Sequence, residues 1–247
     1  MNRFSNCSRR ALLAMGGAMT FATAFGRLPA FAQGAKQPIG IIGAGNIGGA
    51  LGALWIKAGH PVMFSSRNPD ELKDLVAGLG PLAHAGTVAQ AIAFGNVVFV
   101  AVPYAALPEI GTDYKDALKG KVVLDATNAV AARDGDAITK EADTNGIGVT
   151  SQKYLPGTRV VRAFNITGAG VFTKESNRPD PKMAIPIAGD DEAAVRVAGD
   201  LVRDAGFDPV VAGKLVAAKR FQQRADGTVY GFAGTAPELK QKLGMAP

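Results

Sequence analysis

From Pro38 onward, short and almost wholly apolar runs alternate with stretches in which apolar residues recur at helical spacing. Four runs, Pro38–Gly43, Val62–Ser65, Val97–Val102 and Val122–Asp125, have the near-continuous Val/Ile/Leu/Phe/Ala character of strands covered on both faces. Between them Ile47–Ala58, Pro69–Leu79 and Thr87–Phe94 read as helices, and Gly59, Gly80 and Gly95 stand where a left-handed cap would end each one. Asn68 before Pro69 reads as an N-cap followed by proline in the first turn. A fifth strand is expected at Arg159–Phe164, then strand Met183–Ala188, helix Asp191–Ala205 stopped by Gly206, and strand Phe207–Val211. The stretch Ala131–Gly148 shows no clear period and carries Asp134, Asp136, Glu141 and Asp143, so it reads as an exposed loop with at most one helical turn. The pattern predicts an α/β fold: a doubly wound parallel sheet over residues 38–165, of Rossmann type, with a small C-terminal α/β unit over residues 166–247.

The first 32 residues read differently. Arg3, Arg9 and Arg10 precede an uncharged run, Ala11 to Gly26, which is followed by Ala30-Phe31-Ala32. That is the layout of a signal peptide, and the run is shorter than the roughly 20 residues needed to cross a bilayer core. Ser8-Arg9-Arg10-Ala11-Leu12-Leu13 resembles a twin-arginine export signal, which moves folded proteins. The mature protein is therefore expected in the periplasm or another extracytoplasmic space, with no stable membrane insertion after cleavage.

Cleavage at residue 32 would remove Arg3, Arg9, Arg10 and Arg27 and no acid, lowering the formal charge from +6 to +2. No run of Lys/Arg remains to follow a phosphate backbone, so nucleic acid is not an expected partner. The single cysteine, Cys7, would leave as well, and with it any disulfide, thiolate nucleophile or cysteine metal ligand. Only His60 and His84 remain to anchor acid-base or metal chemistry, and no metal site or catalytic triad can be assembled around them. His60, in Ala58-Gly59-His60-Pro61, reads as a turn residue, and His84 lies beside a short edge strand.

Gly43-Ala44-Gly45-Asn46-Ile47-Gly48 has the G-x-G-x-x-G spacing. In a chain with 31 glycines the spacing alone is weak, but this one ends a predicted strand and opens a predicted helix, as the motif's mechanics require. Gly43 would permit the tight turn, Gly45 the approach of backbone to a pyrophosphate, and Gly48 the contact of helix with strand. The pyrophosphate would sit on free N–H groups at the positive end of that helix. About 20 residues on, where an NAD site usually has a carboxylate for the ribose hydroxyls, stands Ser65-Ser66-Arg67-Asn68. Arg67 can pair with a 2′-phosphate through its planar fork, and Ser65 or Ser66 can donate hydroxyl hydrogens. The expected cofactor is NADP.

Several segments together resemble the NADPH-dependent deazaflavin (coenzyme F-420) reductase family over roughly Pro38 to Leu215. They are Ile41–Gly48, Ser65–Pro69, Ala101-Val102-Pro103-Tyr104, Val160–Asn165, Gly189-Asp190-Asp191 and Ala212–Leu215. The resemblance implies that Ala44, Asn46 and Ile47 line the dinucleotide loop and that Ser66 and Arg67 hold the 2′-phosphate. It also implies that Pro103, preceded by Ala101 and Val102, borders the nucleotide cleft, and that Ala163 and Asn165 lie near the nicotinamide. Leu215 is expected to shape the same side. The implied reaction is hydride transfer between NADPH and a deazaflavin, a flavin-like ring or another redox-active small molecule, with no catalytic side chain. Arg220 to Pro247 depart from the apolar C-terminal helix of that family. A ferric or quinone reductase on the same fold, and a non-catalytic NADP-binding module, are the competing readings. A homodimer is compatible with each.

Overall fold

The computed structural model describes residues 36–223 and 229–246, so the expected signal peptide over residues 1–32 lies outside the described residues. Eight strands, β1 (Ile39–Ile42), β2 (Val62–Ser65), β3 (Ala83–Gly86), β4 (Val97–Val100), β5 (Val122–Asp125), β6 (Arg159–Arg162), β7 (Ala184–Gly189) and β8 (Asp208–Gly213), form one sheet. Their order is β3-β2-β1-β4-β5-β6-β7-β8. Strands β1 to β6 are parallel; β1, β2, β4, β5 and β6 stand where strands were expected, β3 is the half-buried edge beside them, and every residue of β1, β4 and β5 is buried. Strand β7 then pairs antiparallel with β6 and parallel with β8. The segment after residue 165 thus contributes its two strands to the same sheet, and residues 36–247 form one compact unit.

In chain order the helices are α1 (Asn46–Lys57), α2 (Lys73–Leu79), α3 (Val88–Phe94), α4 (Leu107–Asp113), α5 (Lys115–Leu118), α6 (Ala131–Asp134), α7 (Asp136–Asn145), α8 (Ile147–Tyr154), α9 (Ala169–Glu175), α10 (Glu192–Asp204) and α11 (Ala236–Lys242). An aromatic chain holds the helices to the sheet. Trp55 of α1 meets Phe99 of β4 and Phe164 beyond β6 edge-on, at 5.0 and 5.8 Å between centroids. Phe164 continues to Phe172 of α9 at 5.7 Å, and Phe172 to Phe207 at 5.8 Å. The buried indole N–H of Trp55 donates to Leu201 O at 2.9 Å, which satisfies it and ties α1 to α10.

Three sequence expectations need correction. Ala131–Gly148 is not a loop: it holds α6, α7 and the start of α8. The apolar stripe of α7 is Ile138 and Ala142, one turn apart, so a strongly polar sequence concealed a helix that needs little more than one buried contact per turn. Gly95 is not a left-handed cap, with φ −80; there an added Cβ would lie 2.3 Å from Gly40 N, so close approach of α3 to β1 explains the glycine. Asn68 occupies the expected position before Pro69 but makes no side-chain cap, because its Nδ2 donates to Glu71 Oε1 at 3.0 Å over a 3-10 turn, Pro69–Leu72.

Candidate functional site

Everything at the carboxyl ends of the central parallel strands converges on two adjoining clefts, where an open α/β sheet places its ligands. Strand β1 turns sharply at Gly43, which has φ +98 and lies so near β4 that a Cβ would stand 2.5 Å from Ala101 O. Gly48 is buried one helical turn on, and a Cβ there would come within 2.0 Å of Gly43 O, so α1 rests directly on the turn. Gly45 is the extended residue before α1, without a side-chain cap and with nothing within 4 Å of an added Cβ. The first N–H groups of α1 therefore have no intrahelical acceptor and face an open approach, a ready site for a diphosphate.

The larger cleft has a volume of about 660 Å³ and is lined by Gly43, Ala44, Gly45, Ser65, Ser66, Arg67, Val102 and Pro103 among others. Arg67 is exposed at the end of β2, and no side chain among the described residues is paired with it. Ser65 is buried and its hydroxyl donates to Ile41 O at 2.7 Å, which commits its proton within the sheet. Ser66 Oγ accepts from Asn68 N–H at 3.1 Å and keeps its own proton to give. Glu71, Glu109 and Asp113 also line this cleft, away from any motif read in the sequence.

The smaller cleft, about 330 Å³, shares Val102 and Pro103 with the larger one. Asn46, Ile47, Ala101 and Asn165 line it, together with Thr127, Asn128, Arg133, Phe164, Thr167, Gln223 and Tyr230. Phe164 has φ +60, a left-handed conformation that costs a non-glycine residue on the order of 1 kcal/mol or more. The aromatic chain holds its ring in the core, so the backbone must bend here and present Asn165 to the cleft. Gly48, Ala163 and Leu215 line neither cleft. Gly48 lies under the turn, and Ala163 and Leu215 are buried. Leu215 follows β8, which runs against β1 to β6, and its N–H donates to Asp190 at 3.0 Å, beside the end of β7.

A buried ion pair supports the floor. Arg162 and Asp125, neither exposed, bond through Arg162 Nη1 and Asp125 Oδ2, while Asp125 Oδ1 accepts from the N–H and hydroxyl of Thr127 at 2.8 and 2.6 Å. Arg162 Nη2 donates to Thr127 O. Tyr104 hydrogen-bonds to Ile147 O at 3.2 Å, and burial pushes its pKa up, which keeps the phenol protonated. Asp134 stitches one cleft wall to the other, accepting from Ala105 N–H at 3.2 Å, from Val130 N–H at 2.8 Å and from Arg133. Burial works against its ionisation, but those donors prevail and hold its pKa below the ordinary 3.8.

Asn165 was expected here, but Thr127, Asn128 and Arg133 escaped the sequence reading. Their only signal was position, since Thr127 and Asn128 follow the carboxyl end of β5. His60 and His84 stand apart from both clefts. His60 lies between Asp204 and Gln37 O, at 2.9 Å from each, and His84 packs on Phe94 at 5.3 Å between ring centroids. Among the described residues no three His, Cys, Asp or Glu side chains are grouped to hold a metal ion.

Residues 38–129 match the family model described as NADP oxidoreductase, coenzyme F-420-dependent. The chain is 23% identical over 187 residues to Metalloreductase STEAP2 of Homo sapiens, a match covering 76% of this chain and 35% of that protein. The chain thus spans about a third of the length of the curated relatives it matches. A hypothetical protein of Sinorhizobium meliloti superposes with a TM-score of 0.70 at 28% identity, over 82% of this chain and 97% of that one. A protein of Arthrobacter sp. FB24, provisionally described as an F-420-dependent NADP-reductase, gives 0.61 at 19% identity over 74% and 87%, a likeness of fold. The fold is of Rossmann type, and the residues that match the family model, 38–129, carry β1 to β5 and the walls of the larger cleft.

Proposed function

We propose that the protein is an NADP(H)-dependent oxidoreductase that transfers hydride between NADPH and a deazaflavin, a flavin-like ring or another redox-active small molecule. The carrying observation is Arg67, an exposed guanidinium with no partner among the described residues, on the wall of a cleft that begins at the glycine turn. A cation at this point suits a 2′-phosphate, and Ser66 has a proton to add. The cleft volumes fall at the scale of ligand sites, roughly 300–1,000 Å³. On this reading the α1 N-terminus holds the pyrophosphate, and Val102 and Pro103 mark the passage from the adenosine half to the nicotinamide half.

When bound, the dinucleotide supplies or takes up the hydride. The chain's own contribution is alignment and exclusion of water, with Pro103, Phe164 and Asn165 shaping the meeting place and no side chain acting as nucleophile. The expected result is that NADPH binds at least about tenfold more tightly than NADH, and that Arg67→Ala removes most of the difference. Titration of each nucleotide against intrinsic fluorescence measures this. Equal affinities in the unmutated protein would sink the assignment.

A second reading has its own support. The partial similarity to a metalloreductase supports a metal-ion acceptor as the alternative to a deazaflavin, and turnover of NADPH against a panel of ferric chelates, quinones and deazaflavins separates them.

A further inference from the structure

One carboxamide joins three separate pieces of the smaller cleft. Asn128 Nδ2 donates to Asn165 O at 2.7 Å, and its Oδ1 accepts from Asn165 Nδ2 at 3.3 Å and from Gln223 N–H at 3.2 Å. Asn165 Nδ2 also donates to Phe221 O at 3.2 Å. The main-chain carbonyl of Asn128 accepts from Arg133 Nη2 at 2.6 Å. The ends of β5 and β6, helix α6 and the segment Phe221–Gln223 therefore meet at the Asn128–Asn165 pair. Phe221 is fully buried, which anchors that segment in the core, whereas Gln223 is exposed on the cleft rim. Packing fixes where the segment starts. Gln222, also buried, is tied to Asp143 by its Nε2 at 3.0 Å, and the hydrogen bond from Gln223 N–H to Asn128 sets where the segment meets the cleft rim.

We infer that Asn128 is a positioning residue of the redox site: it holds Phe221–Gln223 as a strap on the nicotinamide side and so sets how fast a bound dinucleotide leaves. This rests on the dinucleotide reading above. The strap lines none of the larger cleft, so a ligand confined to that cleft should not sense it. NADPH, which extends into the smaller cleft, should.

The test uses the full chain and two variants that break the same contact from opposite sides. Asn128→Ala removes the acceptor and its pairing with Asn165, and Gln223→Pro removes the N–H donor and fixes φ there while leaving the Asn128–Asn165 pair in place. NADPH dissociation is followed by stopped-flow fluorescence during a chase with excess NADP+, and adenosine 2′,5′-bisphosphate, which lacks the nicotinamide half, is the second probe. In both variants NADPH should leave about tenfold faster, the scale of one or two lost hydrogen bonds, while bisphosphate affinity stays within about twofold and the thermal midpoint holds. An unchanged NADPH off-rate in both variants, or an equal loss of both ligands, would overturn the strap. An unmutated protein that binds neither ligand would overturn the dinucleotide reading beneath it.

Discussion

His60 shows how a residue with catalytic chemistry can be wholly absorbed by structure. Both ring nitrogens are engaged, one with Gln37 O and one with Asp204, and Asp204 also meets Lys36 at 2.6 Å. His84 packs on Phe94 at the sheet edge. Replacing either with glutamine should leave the hydride step nearly unchanged, whereas Asn165→Leu, which also removes the Asn165 Nδ2 bonds to Asn128 and Phe221, should lower turnover and speed NADPH release about as much as the strap variants do. Single-turnover rates with stereospecifically deuterated NADPH measure this step, and loss of all activity in a well-folded His60→Gln or His84→Gln protein would contradict the account. At this scale the glycine turn was legible because its demands are steric and local: Gly43 and Gly48 each leave no room for a Cβ. Arg67 was legible from its place at a strand end. Asn128 was not, because its partner Gln223 lies 95 residues away, and no local pattern records such a contact. Ser65 was misleading for a related reason, since its hydroxyl is committed to Ile41.

Among the elements, the parallel strands announced themselves because burial on both faces leaves almost no polar residue in them. The same rule makes the exceptions informative. Asp125 ends β5 and Arg162 ends β6, and the two face each other across the sheet without exposure. Arg162→Met should leave the Asp125 carboxylate buried without its countercharge and destabilise the protein by about 3–5 kcal/mol, as removal of one partner of a buried pair generally does. Asp125→Leu combined with Arg162→Met should recover much of that loss. Chemical denaturation of the two variants decides the matter, and a single variant as stable as the unmutated protein would show that the pair does not support the fold. Helix α7 was illegible because most of its stability is tertiary: its sequence is polar, and Ala142 gains its importance from contact with neighbouring elements rather than from a repeating pattern.

For the whole molecule, the doubly wound character was readable but the reversal of β7 and β8 was not, since strand direction is set by how the chain between β6 and β7 crosses the sheet. Export is a separate expectation. Replacing Arg9 and Arg10 with lysines should trap unprocessed protein in the cytoplasm, while the unmutated chain yields a mature N-terminus at Gln33; cell fractionation with N-terminal sequencing reads both, and undiminished export would indicate the general secretory route. The reversal has a further consequence. After β8 the chain must return to the carboxyl ends of the parallel strands, and it does so through the 3-10 segment Leu215–Arg220, delivering Phe221–Gln223 to Asn128. The walls of the larger cleft all lie between Ile42 and Tyr114, whereas the segment Phe221–Gln223 comes after β5, β6, β7 and β8. As the ribosome releases the chain from its N-terminus, the walls of the larger cleft are made well before the segment that borders the smaller one, so on the proposed reading a nascent molecule can recognise its cofactor before the strap exists to slow its escape.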